Sequence, residues 1–149
     1  MRLSTSLTES TIVCLPGAVP WPSVLRDLIG RLGVDDPAAV GSAIAQRETA
    51  GSTLIAPGLA IPHARVADLP RLAAALAVCP TGLTHPSGAP VQVCLLFVSP
   101  KQQTREHLAF LAGVSALFQT EGLVDALARC ATPADVLARL REAERARAA

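Results

Sequence analysis

Tyrosine is absent from this 149-residue chain, and the other aromatics amount to one tryptophan and three phenylalanines. Platforms on which exposed bases could stack are therefore missing. The charges are few and balanced, 13 Lys and Arg against 12 Asp and Glu, and they are mixed along the chain. No basic stretch is present to track a phosphate backbone, so nucleic acid is a poor partner. The four cysteines, Cys14, Cys79, Cys94 and Cys130, contain no C-x-x-C pair, which points to reduced thiols in a cytosolic protein.

Other absences narrow the chemistry. The N-terminal stretch has no apolar segment of about 7–15 residues, so a signal peptide is not expected. No apolar run approaches the roughly 20 residues that span a bilayer. The expectation is a soluble, cytoplasmic protein with no direct membrane insertion. There is no G-x-S-x-G elbow, no Walker loop and no G-x-G-x-x-G, which removes the usual signs of a serine hydrolase or a nucleotide-binding enzyme. Histidines stand only at 63, 85 and 107, without a close ligand pair such as H-x-x-x-H, so neither metal nor cofactor is expected.

What is present is a hydrophobic half of the chain arranged in short periodic segments. Residues 11–15 read as a strand. A helix fits 22–32, with Val24, Leu25, Leu28, Ile29 and Leu32 as its apolar stripe and Gly33 at the position past its end that favours a left-handed backbone. Asp36-Pro37 opens a second helix as N-cap and first helical residue. On it Val40, Ile44 and Arg47 fall on one side, facing the core. The run 71–79 suits either a helix or a buried strand. Residues 81–90 read as a loop, and 91–98 as a central strand. Ser99-Pro100-Lys101-Gln102 resembles a capping box for a helix reaching about 118. That helix carries Leu108, Leu111, Ala112, Ser115 and Phe118 along one side, with His107 in line with Leu111, Val114 and Phe118. A short helix over 122–128 and a last one capped by Thr132-Pro133 follow. Helices and strands interleave, so the expected fold is a single α/β domain over 1–149, with a core of about 3–140 and a charged tail, 141–149, that is frayed or faces solvent.

The special residues concentrate in 47–65, RETAGSTLIAPGLAIPHAR. Pro62 holds Ile61 extended and fixes its own φ, so His63 emerges from a stiffened strand end. A neutral imidazole nitrogen can accept a phosphoryl group and pass it on, a reaction that needs positioning and charge neutralisation rather than a strong base. The product carries about two negative charges, which call for an arginine, hydroxyls or a second imidazole. Arg47, Ser52, Thr53 and His107 are of the right types. Each has a plainer account: Arg47 can neutralise a helix dipole, and His107 can be a hydrogen-bonded residue at the core edge. His85, in Thr-His-Pro, reads as an exposed loop histidine.

The run R-E-x-x-x-S-T…G-L-A-I-P-H-A-R resembles the phosphorylation-site signature of enzyme IIA proteins of the bacterial sugar phosphotransferase system, in the fructose/mannitol and nitrogen-regulatory branch. G-A-P-V, then VCLLFVSP, then H-L-A-F-L-A is similar to that family's second signature, and the likeness extends over about 3–140. The resemblance implies a mixed β-sheet sandwiched between helices, with 71–79 as a strand. It implies that His63 is the phosphohistidine, that His107 lies beside it and hydrogen-bonds the phosphoryl group, and that Arg47 helps neutralise it. Thr53 matches the threonine of the family's Ser-Thr pair, with Ser52 as its neighbour. It also implies a phosphocarrier rather than a free-standing metabolic enzyme. The donor is then the histidine carrier protein HPr or its nitrogen-branch relative, and the acceptor an enzyme IIB or a regulated target. No transporter or IIB segment accompanies it, which favours the nitrogen-regulatory type over a fructose/mannitol transport component. The chain departs from the family at Leu54-Ile55-Ala56-Pro57, where glycines are usual. That departure motivates the alternative of a binding module that keeps the fold without phosphotransfer.

Overall fold

A computed structural model of the chain describes residues 2–51 and 54–148. Its centre is a long antiparallel pair, β5 (Ala73–Thr84) and β6 (Pro90–Pro100), in register from Ala73 opposite Val98 to Thr84 opposite Pro90. The register shifts between Val78 and Leu83, where Pro80 has no N–H to give to the ladder. Four short strands precede the pair and flank it. β1 (Ile12–Cys14) runs parallel to β5 at one edge. At the other, β3 (Gly58–Ala60) runs parallel to β6, and β2 (Leu54–Ala56) pairs antiparallel outside it. β4 (His63–Val66) also runs parallel to β6, farther along. This is the expected mixed sheet.

Helices cover both faces, and the alternation of strand side chains sorts them into two cores. Ala74, Leu76, Val78, Val93, Leu95 and Phe97 face α3 (Thr104–Leu117), α4 (Leu123–Ala128) and α5 (Pro133–Ala148). Ala75, Ala77, Cys79, Cys94, Leu96 and Val98 face α1 (Trp21–Arg31) and α2 (Pro37–Thr49). Burial on both faces explains why 73–79 is a continuous apolar run without polar alternation. The run 71–79 is thereby strand from Ala73 onward, and its alanines leave room for the helices to pack closely.

Helix boundaries read from the sequence hold at the start of α2 and past the end of α1. The Asp36 side chain accepts from the Ala39 N–H at 3.1 Å, and Pro37 is the first residue of α2. Gly33, just past α1, has φ +69°. Four expectations are corrected. Ser99-Pro100 is not a helix start: β6 continues to Pro100 against β4, and α3 begins at Thr104, because the Ser99 hydroxyl is engaged elsewhere. The buried face of α3 is His107, Phe110, Val114 and Leu117, while Leu108 is 58% exposed. The loop expected over 81–90 shortens, since both strands of the hairpin extend into it. The tail is helical instead of frayed, and most of it faces solvent as expected: α5 runs to Ala148, Ala143 is buried, and Glu144 accepts from the Ser4 hydroxyl and, at 3.2 Å, from its N–H. Among the described residues no helix is long and apolar enough to cross a membrane.

If the last turns of α5 pack in this way, Leu140→Ala lowers unfolding free energy by about 2–5 kcal/mol, whereas the exposed Arg141→Ala stays within about 0.5 kcal/mol. Urea unfolding measures both. A chain cut after Arg141 that unfolds at the wild-type urea concentration would contradict the packing of Ala143 and Glu144.

Candidate functional site

β3 and β4 are one strand line beside β6, interrupted at Ile61-Pro62. The register steps by three residues on both sides of the break, from Ala60 opposite Cys94 to His63 opposite Phe97, so nothing slips. The break has a local cause: Pro62 lacks the N–H that would continue the ladder. Its carbonyl still points at β6 and accepts from the Phe97 N–H at 3.1 Å. The carbonyl of Ile61, one residue back, therefore points the other way, past the end of β3. There it meets Nδ1 of His63 at 2.6 Å. A carbonyl can only accept, so Nδ1 carries the proton and Nε2 presents its lone pair.

His63 is 5% exposed and lies flat on Phe97, its ring centroid 5.1 Å away and the planes 5° apart. The ring is thus held both in plane and in rotation. Burial pushes its pKa below the ordinary 6.5; the Ile61 carbonyl opposes that, the Arg47 charge adds to it, and the Glu48 carboxylate opposes it. The resulting species is a neutral imidazole.

His107 comes from the first turns of α3, with its ring centroid 5.4 Å from that of His63 and 5.1 Å from Phe97. It is 7% exposed, and its Nδ1 lies 2.5 Å from the hydroxyl oxygen of the wholly buried Ser99. That hydroxyl has no other acceptor among the described residues, so it donates to Nδ1 and leaves the His107 proton on Nε2. Burial, then the charges on His63, Arg65 and Arg47, hold the His107 pKa at about 4. The two rings are therefore complementary. His63 offers a lone pair and His107 an N–H, and neither Nε2 is engaged by a described residue.

Positive charge arrives from two elements. Arg47, near the end of α2, bonds the Gly51 carbonyl at 3.3 Å, and its charge bears on both imidazoles. It is exposed and does not share the buried face of Val40 and Ile44; a guanidinium keeps its head in water even where its stem lies against the protein. Arg65 follows His63 by two residues and bonds the Thr104 hydroxyl at 2.6 Å.

Of the residues expected from the sequence, His63, His107 and Arg47 come together; Ser52 and Thr53 lie outside the described residues. His85 is elsewhere and is not an exposed loop residue. It is 5% exposed, packed edge-on against Trp21 at 5.0 Å and bonded to Ser87. It closes the end of an apolar groove of about 870 Å³ between α1 and α2, which holds neither His63 nor His107. Ser99, Phe97 and Arg65 were missed. Arg65 was readable, since two residues along a strand return to the same face. The Ser99–His107 bond was not, because it depends on where β6 stops and α3 starts. Among the described residues no three His, Cys, Asp or Glu side chains cluster as a metal site would require.

The sequence profile described as phosphoenolpyruvate-dependent sugar phosphotransferase system, EIIA 2, matches residues 6–143. The chain belongs to this EIIA family. Its fold is similar to the nitrogen regulatory protein IIA-Ntr of Neisseria meningitidis, at TM-score 0.81 and 24% identity over 93% of this chain and 98% of that one. It is similar to the mannitol IIA of Escherichia coli at TM-score 0.75 and 18% identity, over 90% of this chain and 98% of that one. The same mannitol protein in complex with phosphorylated IIB matches at TM-score 0.75 and 17% identity, over 91% and 97% of the two chains. No curated protein sequence matches. The mixed sheet between helices is thus the EIIA architecture, as the two signatures implied.

Two measurements check this EIIA site. Because His107 titrates near pH 4 when folded and near 6.5 when unfolded, the unfolded chain binds a proton between those values that the folded chain does not. Stability is then full above pH 6.5 and falls as pH drops toward 4, by up to about 3 kcal/mol from this residue. His63, shifted the same way, adds to the slope. Urea unfolding across that range should show a decline that His107→Gln flattens. For the tautomer, ring nitrogen NMR should find Nδ1 of His107 unprotonated and Nε2 protonated in the wild type, and a mixture in Ser99→Ala.

Proposed function

We propose that this EIIA chain is a phosphocarrier that takes a phosphoryl group on Nε2 of His63 and passes it on, or signals by carrying it. The observation that supports this most is the pinned pair: a free Nε2 lone pair on His63 beside the free Nε2–H of His107, both neutral at pH 7. The donor in this reading is a phosphohistidine on HPr or its nitrogen-branch relative. The lone pair attacks phosphorus in line as the donor N–P bond breaks. A donor ring protonated on its other nitrogen leaves as neutral imidazole, so the step needs no separate base. Phosphorylated His63 keeps its Nδ1–H on the Ile61 carbonyl and is itself a protonated phosphoimidazole, ready to be a donor in turn. His107 hydrogen-bonds the transferring group through Nε2–H, and Arg47 neutralises charge that spreads over its oxygens. Ser52 and Thr53 enter the proposal as further hydroxyl donors.

The acceptor separates two branches of the family. We put the nitrogen-regulatory role first, with a regulated protein as partner, and a fructose/mannitol-type role with transfer to an enzyme IIB second. Proteins of both branches share this fold, and the onward transfer of the phosphoryl group separates the two roles.

Labelled phospho-HPr, and separately its nitrogen-branch relative, should place an acid-labile label on the wild type and none on His63→Ala. The label should sit on Nε2, as read by phosphorus–nitrogen NMR couplings. His107→Ala should slow transfer by about 100-fold, the usual cost of one lost hydrogen-bond donor to developing charge. A wild type that takes label from neither donor sinks the phosphocarrier reading. Rapid onward transfer to a sugar-specific IIB protein sinks the regulatory preference alone.

A further inference from the structure

His63 and Arg65 lie on the same face of β4, two residues apart, and Thr104 and His107 lie on the same side of α3, three residues apart. The strand and the helix are therefore joined by two parallel rungs. One is the imidazole pair, at 5.4 Å between centroids, and the other is the bond from the Arg65 guanidinium to the Thr104 hydroxyl, at 2.6 Å. The spacing between rungs is that of alternate residues on a strand, roughly 6–7 Å, which an arginine side chain covers by a change of rotamer. Thr104 uses one of the five guanidinium donors. Among the described residues Arg65 has no carboxylate partner, its only bonded neighbour being this neutral hydroxyl. Among the described residues this cation, whose charge bears on His107, has no anionic partner.

We infer that Arg65 is a second phosphoryl-binding cation, parked on Thr104 while His63 is free and turning its remaining N–H groups onto the phosphoryl oxygens once His63 carries them. The inference rests on the phosphocarrier reading. Arg47 and Arg65 then approach the group from different elements, one from the end of α2 and one from β4. The charge of Arg65 already reaches the imidazole rung, where it helps keep His107 neutral. Thr104 is a positioning residue: it holds the guanidinium at the start of α3.

The test compares Arg65→Gln, Arg65→Lys and Thr104→Val with the wild type, using labelled phospho-HPr (or the nitrogen-branch donor, whichever labels the wild type). Arg65 is exposed, so these variants should melt within a few degrees of the wild type. Arg65→Gln should take label on His63 to the same end point but about 10–100-fold more slowly, and should lose it faster to hydrolysis. Arg65→Lys should recover part of the rate, and Thr104→Val should lose less than Arg65→Gln. In Arg65→Gln the His107 resonances should titrate at higher pH. On phosphorylation of the wild type, the Arg65 side-chain NMR signal should shift, and it should do so again with unlabelled donor. If Arg65→Gln transfers and holds label at wild-type rates, the inference is overturned while the phosphocarrier reading stands. If the wild type takes no label from either donor, both fall together.

Discussion

The hydrogen bond from Nδ1 of His63 to the Ile61 carbonyl sits at a break in a strand that is otherwise in register, and both follow from Pro62. A residue with an N–H at 62 would let the strand continue. Proline stops the ladder for one rung without shifting it, so His63 arrives opposite Phe97 in the place an unbroken strand would have given it. The break leaves the Ile61 carbonyl without a strand partner and within reach of the imidazole. One missing donor thereby sets the tautomer of His63, and stacking on Phe97 sets its plane. The rest of the site is arranged around the nitrogen that this leaves free.

The sheet edge explains how helices from opposite faces reach the same point. α2 packs on the face lined by small side chains, and α3 on the face lined by Leu76, Leu95 and Phe97. Neither could deliver a side chain through the centre of the sheet. At β4, beyond the end of β3, the last turn of α2 brings Arg47 toward the imidazoles while the first turns of α3 bring His107. Ser99 stands one residue before the end of β6, so it fixes His107 with a bond that also satisfies its own buried hydroxyl.

In the proposed carrier, one set of charges serves two states. Arginines near an imidazole disfavour its protonation, which keeps a lone pair available at neutral pH. The same arginines would favour a phosphoryl dianion in that place. Burial acts in the same direction on the free state, since a neutral ring is the cheaper one to desolvate. A nucleophile built on lysine would face the opposite problem, because it must lose a proton before it can react.

Helix starts at Pro37 and Pro133, the central strand and the Pro-His pair were all written in local residue types. They could be read because proline, an Asp or Thr cap and β-branched runs act on their own neighbours. The motif also pointed to His63, His107 and Arg47, since those chemistries have few other uses in a chain so poor in special residues. Three things needed the folded chain. Whether 71–79 was helix or strand depended on being covered from both sides, which no residue in the run expresses. The burial of His85 depended on Trp21, far away in the sequence. The bonds of Arg65 to Thr104 and of Ser99 to His107 join residues whose separations carry no period. Local backbone preferences act within a few residues, whereas the tautomers and charges of this site come from groups that meet only when β4, β6 and α3 are packed together.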